Sequence, residues 1–462
     1  MPLGFHHKTR VVVNTRRNNR VKSSLKYSVL DGSAWAAMMG LTQNYITPFA
    51  LKMQATNSQI SLLSSIPTLL TAISQFLSPG LVERAGTRKA LILPMVFLNG
   101  LMFVPIMLVP FIFQGQQFWW LLAFITISGV AGSVVNPAWG SMMADLVPMR
   151  FRGRFFGGRG MINTLTTLVF TFVAGGILAG FDGPHIFYGF VIIFSAALGF
   201  RMLSLFFLSK QYEPPRVLKK DDGPTMIALF KQVGSSGLGK FMLMIVLTDF
   251  SVAVSGPYFA VYMLRDLHFS YIPFTLVCSC GPLANVMFLQ YWGKRADTAG
   301  NLKIIKITAV LMPIVPVLWL VSPNVIYLMA ANVFSGFVWA GYSLSATNYV
   351  YDASEPAYRH KQLAVFNGMD GLMMCFGFFL GGLIVERLPV LLGYQLHSIF
   401  LLSGILRGLV ALVLLRQLTE VRHVAGISTW ALMKLKLDKN ALPAFLKRPV
   451  WKNKKVEEED GE

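Results

Sequence analysis

Charged residues are scarce in this sequence. Lys and Arg together number 41 and Asp and Glu 21 among 462 residues, so charged types make up 13% of the chain. A soluble protein of this length would need more polar residues to cover its surface. The hydrophobic share is 54%, with 36 Phe and 23 Met. This composition argues against an ordinary soluble globular protein and favours a membrane protein.

Cysteine and the common catalytic motifs are also scarce or missing. The three cysteines, Cys278, Cys280 and Cys375, lie in apolar stretches without a disulfide or metal-binding spacing. No phosphate-cradling Gly-Lys-Ser/Thr loop supports ATP-driven pumping, and no nucleophile or His–carboxylate constellation supports an enzyme. No cleavable signal peptide is expected before the first apolar stretch. We predict neither a cofactor nor a metal.

The apolar residues form repeated blocks of about 20 residues, the length that crosses about 30 Å of hydrocarbon. We therefore predict an all-α integral membrane protein with twelve transmembrane helices, called spans 1 to 12. They are placed at 27–50, 60–81, 90–112, 118–143, 156–180, 186–208, 240–263, 270–292, 303–321, 324–349, 362–385 and 396–415.

The spans fall into two halves that carry similar charged residues about 207 positions apart. Asp145 and Arg152 correspond to Asp352 and Arg359, Asn163 to Asp370, and Arg201 to Arg407. Such a repeat predicts two pseudo-symmetric six-helix bundles, the architecture of secondary transporters. The predicted organisation is a basic tail (1–26), a first bundle (27–208), a linker (209–239), a second bundle (240–415) and a tail (416–462) with an acidic end. The runs Ala174-Gly175-Gly176 and Leu380-Gly381-Gly382 also match between the halves and predict close helix packing.

The net charge of +20 is distributed in a way that argues against a nucleic-acid partner. The N-terminal tail and alternate loops are rich in Lys and Arg, whereas the opposite loops hold only Lys52, Arg265 and Arg387. This alternation follows the positive-inside rule and predicts a multi-pass protein of the cell membrane with both termini in the cytoplasm. Residues 427–451 suit either an interfacial helix on the lipid bilayer or a loosely ordered basic tail.

The loop after span 2 carries the most specific local motif. It reads PGLVERAGTRKAL from Pro79, and a weaker copy, GKRADTAGNLK, begins at Gly293 after span 8. Together with the twelve spans and the repeat, these loops resemble the major facilitator superfamily over about residues 26–416. The first copy departs from the family pattern in having Pro79 at the opening glycine and Glu83 as its acid.

The resemblance implies that the motif loops help to lock the cytoplasmic side when the protein is open to the outside. Glu83, Arg84, Arg88 and Asp297 would then be gating residues, with simple topogenic charge as the alternative. The paired residues Asp145 and Arg152, and Asp352 and Arg359, stand at helix ends and could pair in one conformation and separate in another.

Ionisable residues inside spans are costly, roughly 2.5–3.5 kcal/mol each on insertion scales, and so point to function. Asp249 in span 7 and Asp370 in span 11 are the candidates for proton or solute binding, and a structural ion pair is the alternative for each. Asp370 could instead neutralise Arg407. We expect Arg201 and Arg407 to extend towards the cytoplasm, and Asp31 to cap or pair near the inner end of span 1.

In the superfamily that this chain resembles, spans 1, 4, 7 and 10 line the cavity. The further candidates for contact with solute on those spans are Asn44, Asn136, Tyr258, Asn332 and Trp339.

The sequence therefore predicts a secondary active transporter, expected to be a monomer, that moves a small solute by alternating access, with coupling to protons through Asp249 as the favoured mechanism. The alternatives are an uncoupled facilitator and a non-transporting receptor or assembly factor on the same fold. The few buried charges favour a neutral or amphipathic solute over a strongly ionic one.

Overall fold

The computed structural model describes residues 4–147, 152–181, 183–214, 236–354 and 359–414. Within these ranges the regular structure is helical, apart from an isolated antiparallel bridge between Leu391 and Tyr394. The helices of the first half are Gly4–Thr42, Ile46–Lys52, Asn57–Ala85, Arg88–Leu101, Phe103–Ile112, Gln117–Leu146, Arg152–Ala179 and Ile186–Ser209, with a 3₁₀ turn at Gly183–His185. Those of the second half are Gly237–Ser255, Tyr258–Val261, Tyr271–Ala299, Asn301–Leu311, Ile314–Leu318, Val325–Ala353, Arg359–Ile384 and Leu396–Leu414, with a π-helical turn at Tyr262–Asp266.

The predicted twelve-helix architecture is confirmed. Eleven helical segments in the described part of the chain are long and apolar enough to cross a membrane, and they correspond to spans 2 to 12. Span 1 consists of Gly4–Thr42 and Ile46–Lys52, which are separated by a short break. Large apolar side chains remain exposed on the outside of the bundles, among them Ile326 (77%) and Met287 (69%), as expected of residues that face lipid.

Several helices extend beyond the predicted spans into the loops. The predicted basic tail is helical from Gly4, because Lys and Arg are good helix formers. Span 8 continues to Ala299 and ends where Gly300 adopts a positive φ of 87°. Most of the predicted linker, and the tail with its proposed interfacial stretch 427–451, lie outside the described residues.

Proline and glycine interrupt the spans at defined places. Span 1 breaks just before Pro48, span 7 at Gly256-Pro257 and span 9 at Met312-Pro313. Proline lacks the amide that would continue the helical hydrogen bonds, so each of these helices is interrupted at its proline or within one turn before it. Side-chain caps begin other spans: Thr56 forms a capping box with Gln59 at span 2.

The two bundles repeat the same packing. In the first, span 1 packs against spans 5 and 6, span 2 against span 4, and span 3 against spans 4 and 6. In the second, span 7 packs against spans 11 and 12, span 8 against span 10, and span 9 against spans 10 and 12. The bundles meet along two seams, one between spans 2 and 11 and one between spans 5 and 8. This is the pseudo-two-fold arrangement that the charge repeat predicts.

We call the face at which span 1 begins and span 12 ends the termini face, and the opposite one the far face. The largest core cluster contains residues of both bundles, including Tyr45, Phe49 and Phe190 of the first and Tyr258 and Phe274 of the second. Each of these side chains is at most 1% exposed. The cluster fills the interior between the bundles on the side of the far face.

Candidate transport site

Two carboxyl groups meet inside the second bundle. The side chains of Asp249 of span 7 and Asp370 of span 11 lie close enough for their charges to interact. Each lies about 17–18 Å along its helix from the termini face, at 1.5 Å per residue. Oδ1 of Asp370 is buried and has no donor among the described residues. Adjacent carboxylates repel each other, and a shared proton removes that repulsion.

Arg407 of span 12 lies beside this pair. It is 3% exposed, and its Nη1 and Nη2 approach the Met312 carbonyl oxygen (3.5 Å) and the Ser255 hydroxyl (3.4 Å). Its charge interacts with Asp249. The expectation that Arg407 extends towards the cytoplasm was wrong, because span 12 packs against span 7 and the guanidinium is buried between them.

Tyr342 of span 10 completes the surroundings of the two acids. The residue is 2% exposed and lies near both carboxyl groups, with its hydroxyl close to Thr248. Spans 7, 10, 11 and 12 thus all contribute to this polar centre. Sequence reasoning did not place Tyr342 beside the acids, because its distance from them depends on the packing of three helices.

A separate polar cluster lies in the first bundle, nearer to the termini face. Asp31 is 4% exposed and accepts hydrogen bonds from the Ser204 hydroxyl (2.6 Å) and Gln211 Nε2 (3.4 Å). Nη2 of Arg159 lies 3.8 Å from its carboxylate. Arg201 is 5% exposed and also faces Asp31, so the expectation that it extends towards water was wrong. The expected pairing of Asp31 is confirmed.

The counterpart of Asp370 in the first half behaves differently. With its amide nitrogen turned towards span 1, Asn163 donates to the carbonyl oxygens of Gly32 (3.2 Å) and Arg159 (3.3 Å). A neutral amide therefore joins spans 5 and 1, whereas a carboxyl pair joins spans 11 and 7. The pair of acids belongs to one half of an otherwise symmetric scaffold.

The other candidate solute residues have unequal surroundings. Tyr258 is fully buried, and Asn332 donates to the Leu328 carbonyl of its own helix (3.0 Å). Trp339 is half-buried against Tyr342. Asn44 lies half-buried at the break in span 1, and Asn136 is exposed.

At the termini face, the partner of Asp145 is Arg88 and not Arg152. The Arg88–Asp145 distance is 2.6 Å, and it joins spans 3 and 4. Arg152 instead donates to the carbonyl oxygens of Ala144 (2.5 Å) and Val147 (3.1 Å) at the end of span 4. In the second half Asp352 accepts from Asn301 Nδ2 at 2.9 Å, which similarly joins spans 9 and 10.

Four further residues are gating candidates, and the side chains of three of them are described. Glu83, Arg84 and Asp297 are exposed on the surface. The side chain of Arg359 lies outside the described residues.

Glu213 is a functional candidate that sequence reasoning missed. Its carboxylate accepts from the backbone amides of Arg88 (2.8 Å) and Lys89 (3.2 Å) at the start of span 3. This acid comes from beyond span 6 and not from the motif loop itself. Negative charge is stabilised there by the unpaired amides of the first turn. The motif loop is thereby connected to the start of the linker.

The far face is closed by contacts between the bundles. The Tyr45 hydroxyl lies 2.6 Å from the Thr171 carbonyl oxygen and 2.8 Å from the Thr275 hydroxyl. Arg265 of span 7 donates to Asn57 of span 2 (2.8 Å). A vestibule of about 670 Å³ opens at the far face, and its lining includes Asn57, Arg265, Tyr271 and Glu386.

The sequence model of the Major Facilitator Superfamily matches the chain twice, over residues 32–247 and 241–453. The chain belongs to the major facilitator superfamily. Solved structures support the same fold at low sequence identity. A mutant of the nucleoside transporter NupG matches with a TM-score of 0.68 and 12% identity, covering 87% of this chain and 100% of that one.

Two further superfamily structures are similar. A D-xylose–proton symporter gives a TM-score of 0.66 and 14% identity over 87% of this chain and 98% of its own. The xylose transporter XylE from E. coli in its inward-open conformation gives a TM-score of 0.64 and 16% identity. The match covers 87% of this chain and 97% of that one. No curated protein sequence matches the chain.

Membership of the superfamily decides the functional class. The protein is a multi-pass membrane protein and a secondary transporter that moves a small solute by alternating access, and it is not an enzyme. In this major facilitator protein the Tyr45–Thr275 and Arg265–Asn57 contacts join the two bundles at the far face, beside the vestibule.

Proposed function

We propose that this transporter moves its solute together with protons, and that Asp249 and Asp370 form the proton site. The observation that carries the proposal is the proximity of the two carboxyl groups inside the second bundle. Arg407 supplies one positive charge beside two acids. One proton on the pair makes the three groups neutral together, which lowers the cost of holding them away from water.

The solute site lies between the bundles, where superfamily members bind their substrates. Asn44, Asn136, Tyr258, Asn332 and Trp339 are the proposed contacts. The low number of buried charges favours a neutral or amphipathic solute. We further propose that the protein is a monomer of the cell membrane with the termini face in the cytoplasm, as the distribution of Lys and Arg indicates.

Gating at the termini face is proposed for the charged residues near helix ends. The ion pair of Arg88 and Asp145 holds spans 3 and 4 together in the first bundle. The hydrogen bond from Asn301 to Asp352 holds spans 9 and 10 together in the second. We propose that these contacts fix the geometry of the termini face within each bundle. Glu83, Arg84, Arg152, Asp297 and Arg359 are proposed to form contacts between the bundles when this face closes.

The test begins with a thermal-shift screen of the purified protein against sugars, nucleosides, amino acids, organic acids and lipophilic drugs. A stabilising compound is then followed into proteoliposomes with and without an imposed pH gradient. We expect uptake to depend on the gradient in the wild type, and we expect Asp249→Asn and Asp370→Asn to lose that dependence. Asp297→Asn, which changes an exposed acid outside the proton site, is the control: its uptake should keep the dependence on the pH gradient, whatever its rate.

Uptake that ignores the gradient in the wild type would show an uncoupled facilitator. Uptake that remains gradient-driven in Asp249→Asn and Asp370→Asn would show that the proton binds elsewhere.

A further inference from the structure

The vestibule at the far face contains none of the residues proposed above for solute or proton binding. Its volume of about 670 Å³ lies within the range of about 300–1,000 Å³ that is typical of small-molecule sites. Both bundles line it, the first with residues of spans 1, 2, 5 and 6 and the second with residues of spans 7 and 8 and the residue after span 11. The cavity is therefore large enough to hold a small molecule between the bundles.

Basic residues occur in this vestibule in a way that membrane topology does not explain. The loops of the far face hold only three Lys or Arg residues, and two of them, Lys52 and Arg265, line the vestibule. The positive-inside rule disfavours Lys and Arg on this face. A role of these side chains in the vestibule itself is the better explanation.

Arg265 has partners within the protein. Its Nη2 donates to Oδ1 of Asn57 at 2.8 Å, and its Nε lies 3.4 Å from Oδ1 of Asp266. The charge of Arg265 is thus balanced by its neighbour in the chain, and its guanidinium joins the two bundles at the wall of the vestibule.

Lys52 and Glu386 are the charges of the lining that have no ionic partner among the described residues. Lys52 ends the helix Ile46–Lys52 of the first bundle, and Glu386 follows span 11 of the second. Both residues are exposed, and Ser58 donates to Oε1 of Glu386 at 3.4 Å. The vestibule therefore presents one positive and one negative charge from opposite bundles.

Two further residues of the lining have features that are common at binding sites. Gln54, two residues after Lys52, has a positive φ of 59°, a backbone conformation that costs energy in a residue other than glycine and that clusters at ligand sites. Tyr271 is 8% exposed, and its hydroxyl has no hydrogen-bond partner among the described residues. A buried polar group without a partner calls for an explanation, and a bound molecule provides one.

We propose that the vestibule is a binding site for a zwitterionic solute of the amino-acid type, with Lys52 facing its carboxylate and Glu386 facing its ammonium group. Leu264 and Phe269, which also line the vestibule, contact its apolar side chain. Such a solute is amphipathic and has no net charge, so the inference rests on the solute class proposed above and makes it narrower.

The two charges of the lining select a zwitterion over ions of one sign. An anion is attracted by Lys52 and repelled by Glu386, and a cation meets the reverse. A zwitterion is attracted by both residues, and it leaves neither charge unpaired. Specificity of this kind comes from repulsion of the wrong ligand as much as from attraction of the right one.

The test measures how fast N-ethylmaleimide labels a cysteine placed in the vestibule of the detergent-purified protein. Ser270 lines the vestibule, is exposed and makes no side-chain cap at the start of span 8, so Ser270→Cys is a mild change. The three native cysteines are replaced by alanine. Val390→Cys in the same background is the control, because Val390 is 66% exposed and lies outside the lining.

Four probes share one skeleton and differ in charge: phenylalanine (zwitterion), phenylalaninamide (cation), N-acetylphenylalanine (anion) and N-acetylphenylalaninamide (uncharged). We expect phenylalanine to slow the labelling of Ser270→Cys about tenfold at about ten times its dissociation constant. The other three probes should have little effect. None of the four should slow the labelling of Val390→Cys.

Variants of the charged residues show whether the protection depends on the lining. Lys52→Gln and Glu386→Gln should each abolish protection by phenylalanine, whereas Lys52→Arg should retain it because the positive charge is kept. Arg387→Gln is the matched control: it removes an exposed positive charge from the same face but outside the lining, so protection should remain.

The headgroup of phosphatidylethanolamine carries the same pair of charges, so this lipid is added to the detergent micelles in a separate arm. Protection by the lipid as strong as that by phenylalanine would overturn the assignment to a solute. The proposal is also refuted if phenylalanine gives no protection, if the uncharged probe protects equally, or if Arg387→Gln loses protection as Lys52→Gln does. The assay involves neither transport nor a pH gradient, so its failure would leave the proposed proton site of Asp249 and Asp370 in place.

Discussion

Arg88 and Asp145 form an ion pair of 2.6 Å that joins the start of span 3 to the end of span 4. The arginine side chain is 4% exposed, whereas the aspartate side chain is 45% exposed. Nε and Nη1 of Arg88 have no acceptor among the described residues, so Asp145 is an important counter-charge for a buried guanidinium. The pair links the superfamily motif loop to the helix end that the charge repeat singles out.

Replacing Asp145 by asparagine should destabilise the protein because it removes this counter-charge. We expect Asp145→Asn to lower the free energy of unfolding by about 1–3 kcal/mol, with the exposed side of the pair limiting the loss. The midpoint of thermal denaturation in detergent checks this. Asp297→Asn, at an exposed acid, should leave the midpoint unchanged, and equal midpoints for all three proteins would contradict the prediction.

Arg407 and Asp249 should show strong energetic coupling. Arg407→Gln leaves the buried carboxyl pair without its positive neighbour and should cost about 2–4 kcal/mol. Adding Asp249→Asn removes the acid that needed neutralising, so the double variant should be about 1–3 kcal/mol more stable than the sum of the single losses predicts. A thermal-denaturation cycle of the four proteins measures the difference. Strict additivity would show that the two side chains do not interact.

Asp31 should be important to the stability of the first bundle. Asp31→Asn leaves the half-buried Arg159 and the buried Arg201 without an acid between them, and we expect a loss of about 2–4 kcal/mol. Ser204→Ala, which removes one hydrogen bond to Asp31, should cost about 1 kcal/mol. Chemical denaturation of the purified protein gives both values, with the exposed Glu83→Gln as control. A loss for Ser204→Ala as large as that for Asp31→Asn would argue against a charge effect.

Tyr45→Phe should weaken the closure of the far face without obstructing it. The variant loses the hydroxyl that meets Thr171 and Thr275, at a cost to the closed state of about 1–2 kcal/mol. The open-to-closed ratio should then rise by about 5–30-fold. The distance between spin labels on far-face loops of the two bundles, at Gln114→Cys and Val390→Cys with the three native cysteines replaced by alanine, reports this ratio. Tyr188→Phe, at a tyrosine 54% exposed, should have no effect, and a similar shift in that control would contradict the assignment.

The sequence was sufficient for the architecture because each span carries its own signal. A block of about 20 apolar residues must cross the bilayer as a helix, since no water is present there to satisfy the backbone. The repeat of Asp145 and Arg152 as Asp352 and Arg359 likewise revealed two similar halves without any knowledge of packing. Helix ends were less certain, as Gly4 and Ala299 show, because polar residues continue a helix beyond the membrane.

Contacts between distant parts of the chain could be identified only in the folded protein. Sequence position suggested that Arg407 reaches water and that Asp145 could pair with Arg152, yet Arg407 faces Asp249 and Asp145 faces Arg88. Glu213 likewise reaches the start of span 3 from more than 120 positions away. Such pairs depend on how helices pack and rotate against one another, and local spacing contains no information about that.

The sequence by itself determined the number of helices, their membrane location and the two-fold repeat, and it showed two acids deep in spans 7 and 11. Hydrophobic length and charge act locally along the chain, so they can be read without knowing the fold. Only the tertiary structure decided that those acids lie close together and that Arg407 lies beside them. The reason is physical: these side chains come from different helices, and only the packing of the helices brings them within reach of one another.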